Sequence, residues 1–438
     1  MSTSLAVTPS SRVSFRVDIA RINSKLKLPN SQTAQSTIKL EGFSSQAANP
    51  TPSPSFKSSV LQADGEFIMN MSLGTPPRQF PAIMDTGSDL VWTQCMPCMA
   101  CYHQATPVFD PNASSSFSPL PCSSPLCASK TKKCMSNLCR YKTLYGDMSF
   151  TQGYLATDTF ILGDSTHNVS IPNIGFGCGN NNGGSGLDTV AGIIGLGRGP
   201  LSLVTQLKVK KFSYCLPVLG ENKKGTLSFG SLADEGFNAS SSQGTPILEN
   251  PVLPSRLKKD GTGGMILDTG TTLTYLEQEA YQVLKQEFVK RTRLPAVFSS
   301  YTDLDLCFRT PAAATDCPHP SITAAAHLPA TATPDTSVVQ TAGGEDSTAP
   351  EPMGRGHRPK NASSHSFPKL KLHFKDLVLE LPKDNYLTDA SSPRMVCLTI
   401  MPSNGVSMFG SQLQQNFVIL HDLEKQTVSF FPSQCAYG

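Results

Sequence analysis

The chemistry of this chain concentrates in two segments, Ile83-Met84-Asp85-Thr86-Gly87-Ser88 and Ile266-Leu267-Asp268-Thr269-Gly270-Thr271. Each sets a single carboxylate at the end of an apolar run, two residues ahead of a glycine. The run predicts a buried strand, and the glycine predicts a sharp turn after it. An aspartate that merely opens a turn accounts for either segment alone. The pair, one in each half, predicts two similar lobes that bring Asp85 and Asp268 face to face. Two carboxyls in one closed site cannot both ionise easily. They share a proton and divide the roles of acid and base.

The elements that must hold such a pair read as short strands. Of 438 residues, 39% are hydrophobic and only 16% charged, a Ser/Thr/Gly/Pro-rich balance that suits an all-β protein. The length suits two or three domains or one bilobed unit. Residues 1 to about 62 are polar and Ser/Pro-rich and read as a leader and linker, mostly disordered, with one strand-like alternation at Phe15–Ile22. From Gly65 short strands alternate with turns: Glu66–Leu73, Thr157–Leu162 and Val169–Phe176, with a polar loop at Asn180–Gly186. Ala191–Gly197 is a small-residue apolar segment where backbones can pack closely, and Glu277–Arg291 has helical spacing. Residues 311 to about 366 are Ala/Thr/Pro/Ser-rich and read as a disordered insertion.

Net charge is +3, from 36 basic and 33 acidic residues, which gives no argument for nucleic acid or an anionic membrane. The basic run Lys208-Val209-Lys210-Lys211 is short and reads as solvated surface. No stretch approaches ~18 consecutive apolar residues, so no membrane span is expected.

The chain has 13 cysteines, clustered between Cys95 and Cys139 and then spread out to Cys435. This usage predicts a disulfide framework and an oxidising compartment. Cys95-x-x-Cys98-x-x-Cys101 also has the spacing of a zinc site, with His103 or a distal cysteine as a further ligand. Asn70, Asn112, Asn168, Asn238 and Asn361 each open a sequon for N-glycosylation. Against export, Met1–Phe15 holds no apolar run long enough for a signal peptide. Either a signal lies upstream or the protein is not exported.

Further residues give the pair of aspartates a setting. These are Trp92, Tyr145-Gly146-Asp147-Met148-Ser149, Gly192-Ile193-Ile194-Gly195, and Met408-Phe409-Gly410-Ser411 through Val418-Ile419-Leu420. With them, residues 63 to 435 resemble the pepsin-like aspartic proteases, most closely the plant nepenthesin-type branch. The resemblance implies an all-β, bilobed fold with a cleft between the lobes. It places the N-terminal lobe at 63–235, with a cysteine-rich insertion at 95–139, and the C-terminal lobe at 236–438. It implies that Asp85 and Asp268 hold a water and hydrolyse peptide bonds of protein substrates at acidic pH, with no cofactor and no metal. Ser88 and Thr271 would bond the outer carboxylate oxygens. Thr86 and Thr269 would tie the loops together, with Gly87 and Gly270 beside them. Tyr145, Gly146 and Asp147 would form the flap, with Trp92 supporting the tyrosine. Tyr141 also lies near the flap, and the spacing to Gly146-Asp147 favours Tyr145.

The resemblance further implies the disulfides Cys95–Cys98, Cys101–Cys178, Cys122–Cys139, Cys127–Cys134, Cys215–Cys435 and Cys307–Cys397, with Cys317 left over. It implies a monomer of the secretory pathway, extracellular or vacuolar. Three departures stand out. Met148 stands where the branch usually has a glycine. The chain before Asp268 is short by about one hairpin, which would leave sheet edges unpaired. The segment 311–366 is extra. The alternative reading is a catalytically impaired relative that binds a protein or glycan.

Overall fold

The computed structural model describes residues 12–16, 19–21, 53–63, 65–128, 133–164, 168–235, 244–249, 264–297, 304–310, 367–390, 394–405 and 407–435. The expected insertion at 311–366, Asn238, Asn361, Cys317 and most of the leader lie outside them.

Alternation of apolar and polar residues sets the strands. The leader contributes two, β1 (Arg12–Arg16) and β2 (Ile19–Arg21), where a single alternating patch was expected. β3 (Phe56–Ala63), within the stretch read as leader and linker, is an ordered strand that buries Phe56, Ser58 and Val60 on one face. Its serines and Lys57 make the segment polar by composition, but the period of two decides its fate. β4 (Glu66–Leu73) buries Phe67, Met69, Met71 and Leu73 in strict alternation. β5 (Arg78–Asp85) ends on the first aspartate, and β6 (Trp92–Gln94) follows fully buried.

One large sheet runs through both halves of the chain. Its middle is β3-β4-β5, then Gly192–Gly195, β6, Asn168–Gly183, Phe150–Gly163 and Leu138–Leu144. On the other side of β3 come Gly225–Phe229, Lys211–Cys215, Phe417–Asp422 and Thr427–Pro432. The last two strands of the chain therefore join a strand from its middle. The strands Phe150–Gly163 and Asn168–Gly183 are longer than expected, because Phe150 to Gln152 pair with Gly183 to Asn181 and draw the polar loop into the ladder.

A second sheet runs Leu248–Glu249, β2, Met265–Leu267, Ser407–Phe409, Thr274–Glu277 and Ile400–Ser403. Smaller sheets pair β1 with Lys369–Phe374, and Cys307–Arg309 with Met395–Leu398. The helix Gln278–Arg291 matches its expected spacing: Tyr281, Leu284 and Phe288 face the core, and Glu287 pairs with Arg291 at 2.8 Å. Among the described residues no helix is long and apolar enough to cross a membrane. The fold is all-β and bilobed.

Six disulfides join described residues. Cys215–Cys435 and Cys307–Cys397 stand as the resemblance implied. The other four expected pairings do not form. In place of Cys95–Cys98 and Cys101–Cys178, the bonds are Cys95–Cys178 and Cys98–Cys101. β6 runs beside Asn168–Gly183, and the Cys95 N–H donates to the Gly179 carbonyl at 2.8 Å, which lays Cys95 against Cys178. In place of Cys122–Cys139 and Cys127–Cys134, the bonds are Cys122–Cys134 and Cys127–Cys139. Burial sorts them: Cys127 and Cys139 lie in the core, while Cys134 is exposed and Cys122 half-buried. None of Cys95, Cys98 and Cys101 remains a free thiol. Peptide mapping without reduction is expected to recover Cys95 linked to Cys178. Recovery of Cys101 linked to Cys178 would contradict this topology.

Candidate active site

Asp85 and Asp268 are delivered by matching constructions. Asp85 ends β5, whose partner Gly192–Gly195 runs parallel with Gly195 opposite Asp85. A side chain at Gly195 would strike the Asp89 backbone, so the close pass requires glycine. Asp268 follows Met265–Leu267, whose parallel partner Ser407–Phe409 brings the Phe409 carbonyl to the Asp268 N–H at 3.1 Å.

Each carboxylate then receives the same two donors. Asp85 Oδ1 accepts from the Gly87 N–H at 2.8 Å, and Oδ2 accepts from the Ser88 hydroxyl. Asp268 Oδ1 accepts from the Gly270 N–H at 2.9 Å, and Oδ2 from the Thr271 hydroxyl at 2.8 Å. The two loops lock through the threonines. Thr86 Oγ1 donates to the Leu267 carbonyl at 2.8 Å, and Thr269 Oγ1 to the Met84 carbonyl at 2.6 Å. Each hydroxyl also accepts the other threonine's N–H at 3.1 Å. Both threonines are buried, so every donor in this lattice is satisfied without water.

Gly87 and Gly270 were expected to serve a sharp turn, and the chain does turn at Gly87 and bend at Gly270. Neither has a positive φ. Space is the reason for them: a Cβ on Gly87 would lie 2.6 Å from Asp268 Cγ, and one on Gly270 2.8 Å from Asp85 Oδ1. Each glycine is the floor under the other loop's carboxylate.

Both carboxyls are pushed above the ordinary aspartate range, first by burial. For Asp85 the neighbouring Asp268 charge adds to this. The two titrate as a unit.

The hairpin Leu138–Leu144 to Phe150–Gly163 lies over the site. Tyr145, at its turn, accepts from the Trp92 indole N–H at 2.8 Å. Tyr141 instead bonds Thr151 at 2.9 Å, away from the aspartates. The turn closes with the Tyr145 N–H to the Ser149 carbonyl at 2.8 Å, and Asp147 Oδ1 accepts from the Ser149 N–H and hydroxyl. Gly146 has open space around it. Met148 has φ 71° and is 64% exposed, so it fills the left-handed position of a hairpin loop that glycine usually takes. Met148→Val is expected to destabilise the protein by about 1 kcal/mol, because a β-branched residue tolerates this φ worst. Met148→Gly is expected not to, as thermal unfolding would show.

Two residues near the site were not singled out by sequence. Gln414 is buried and bridges the lobes: its Nε2 donates to the Asp268 carbonyl at 3.1 Å and to the Phe409 carbonyl at 2.6 Å, and its Oε1 accepts from the Tyr214 hydroxyl at 2.6 Å. Glu66 opens β4 and accepts from the Thr272 hydroxyl at 3.3 Å. Its carboxyl is pushed up to about 7, mainly by burial, with the charges of Asp85 and Asp147 adding. The only sequence signal was an acidic residue at the mouth of an apolar strand.

The sign of the Glu66 effect follows from linkage. An unfolded chain ionises Glu66 near 4.5, while the folded protein holds that proton to about 7. Stability is therefore flat below 4.5, falls through the window from 4.5 to 7, and is flat above it, a loss of roughly 3 kcal/mol from this residue. Glu66→Gln is expected to remove that much of the fall in denaturant titrations run from about pH 4 to about pH 8. An unchanged pH dependence would show that the carboxyl is not held neutral.

Comparison with known proteins agrees with this geometry. Residues 67–231 match the family model described as xylanase inhibitor N-terminal, and residues 243–342 and 354–432 match xylanase inhibitor C-terminal. Aspartic proteinase nepenthesin-1 of Nepenthes gracilis is 39% identical over 405 residues, covering 86% of this chain and 80% of its own. Among solved structures, basic 7S globulin from soybean superposes with a TM-score of 0.61 at 18% identity, over 88% of this chain and 99% of the globulin. Aspartic proteinase from Irpex lacteus gives 0.56 at 16%, over 87% and 98%. These last two speak to the fold alone. The chain belongs to the pepsin-like aspartic proteases, in their plant nepenthesin-type branch.

Proposed function

We propose that Asp85 and Asp268 are the catalytic dyad of an acid endopeptidase. The observation that carries this reading is the matched pair of carboxyls, each held by a glycine N–H and a hydroxyl and locked to the other through Thr86 and Thr269. With one proton between them, the ionised member draws a proton from a water as its oxygen attacks the peptide carbonyl. The protonated member donates to the carbonyl oxygen, giving a tetrahedral diol. Collapse of the diol returns a proton to the leaving amine, and the dyad regains its single proton. Ser88 and Thr271 stabilise the charged oxygens during the exchange. Tyr145, fixed by Trp92, closes over the substrate and excludes bulk water.

Both aspartates come from one chain, so a monomer suffices. Six disulfides favour an oxidising compartment, and hence the secretory pathway. Exposed Asn112 and Asn168 suit glycan attachment better than Asn70, which is half-buried within β4.

Hydrolysis of a denatured protein is expected to peak at acidic pH and to be blocked by pepstatin. The limb toward neutral pH marks loss of the shared proton. Asp85→Asn, which cannot exchange that proton, is expected to lower kcat by roughly 10³-fold or more with little change in KM. Comparable activity in a folded Asp85→Asn protein would refute the dyad.

A further inference from the structure

The main chain around the two aspartates is anchored by different means. The Asp85 carbonyl accepts from the Leu196 backbone N–H at 2.7 Å, just past the strand Gly192–Gly195 that pairs with β5. In the second lobe the residues just past Ser407–Phe409 donate elsewhere. The Gly410 N–H goes to Thr274 Oγ1 at 3.0 Å, and the Ser411 N–H to the Thr271 carbonyl at 2.7 Å. The Asp268 carbonyl takes its bond from a side chain instead, Gln414 Nε2 at 3.1 Å.

We propose that Gln414, held by Tyr214, is the positioning residue for Asp268. Its amide straddles the aspartate. One Nε2 hydrogen reaches the Asp268 carbonyl. The other reaches the Phe409 carbonyl at 2.6 Å, the same oxygen that accepts the Asp268 N–H. The peptide units on both sides of the Asp268 α-carbon are thereby tied to one planar group. The amide fits only this way round. Two carbonyls require its NH2 end, which leaves Oε1 for the Tyr214 hydroxyl at 2.6 Å. Gln414 and Tyr214 are both fully buried, so a lost bond leaves polar groups stranded in the core. Tyr214 belongs to Lys211–Cys215, a strand of the large sheet. The same sheet carries Asp85 at the end of β5, so the link through Gln414 sets the second carboxyl against the frame of the first.

This role rests on the dyad reading above, and its test has one arm that needs no activity. Gln414→Glu keeps the shape but offers at most one hydrogen to two carbonyls. Tyr214→Phe removes one hydroxyl and leaves Oε1 without that donor. In the folded full-length chain, both are expected to lower kcat about tenfold or more with KM within about twofold. A displaced carboxyl loses alignment in the transition state and little in substrate binding. Phe308→Leu, a core substitution in another sheet, is the control for lost stability and should keep kcat. Amide exchange at Asp268 and Thr269 should speed up about tenfold or more in Gln414→Glu and Tyr214→Phe. If Gln414→Glu does not fold, Tyr214→Phe decides. In an active enzyme, unchanged kcat, a rise in KM alone, or an equal loss of kcat in Phe308→Leu would overturn the proposal. If the wild-type chain hydrolyses nothing, the dyad reading fails and exchange alone decides. Faster exchange at Asp268 and Thr269 then supports the positioning role, and unchanged exchange overturns it.

Discussion

The constraint on which everything else depends is that two buried carboxyls face each other in one site, where both cannot easily be charged at once. Left to itself, a buried pair escapes by moving apart or by taking up a second proton. In this protein neither is easy. Each carboxylate is held by a backbone N–H and a hydroxyl, and each lies over the bare glycine of the opposite loop. The threonine lattice underneath uses only buried, mutually satisfied groups, so it fixes the separation of the loops. In the proposed mechanism such a frame would need no reorganisation as charge and proton pass between Asp85 and Asp268.

The rest of the fold serves this frame from outside. The strand Gly192–Gly195 and the Phe409 segment back the two loops. Gln414 carries the Asp268 backbone to Tyr214 in the large sheet. The disulfide Cys215–Cys435 fastens the chain's end to the same sheet region. Support is nonetheless unequal, because the first lobe builds its aspartate strand from neighbouring sequence, whereas the second draws β2 from the far end of the chain.

Legibility in the sequence divides along physical lines. The placement of Asp85 and Asp268 beside their hydroxyl partners was readable because each hydroxyl lies three residues past its aspartate, whereas the contact of Tyr145 with Trp92 followed from the resemblance alone. The helix Gln278–Arg291 was likewise readable from local spacing. Four of the six disulfides were not: Cys95, for one, meets Cys178 through parallel strands 83 residues apart, and local sequence does not encode that register. Gly87 was read as a turn residue and does lie in a turn, but its further role as a spacer was not legible, since the carboxylate it accommodates comes from the other lobe. Glu66 went unnoticed because its perturbation arises only when β4 is folded beneath the dyad. The short stretch before Asp268 implied a bare edge, and only the three-dimensional pairing of β2 reveals how that edge is covered.

The most direct test of the shared proton is a double-mutant cycle on kcat with Asp85→Asn, Asp268→Asn and both together, each protein first checked for folding. If the two carboxyls act as one unit, the double variant will be about as slow as either single variant, since removing one already disables the other. If the two losses multiply, the aspartates contribute independently, and one proton held between two locked loops is not how this site works.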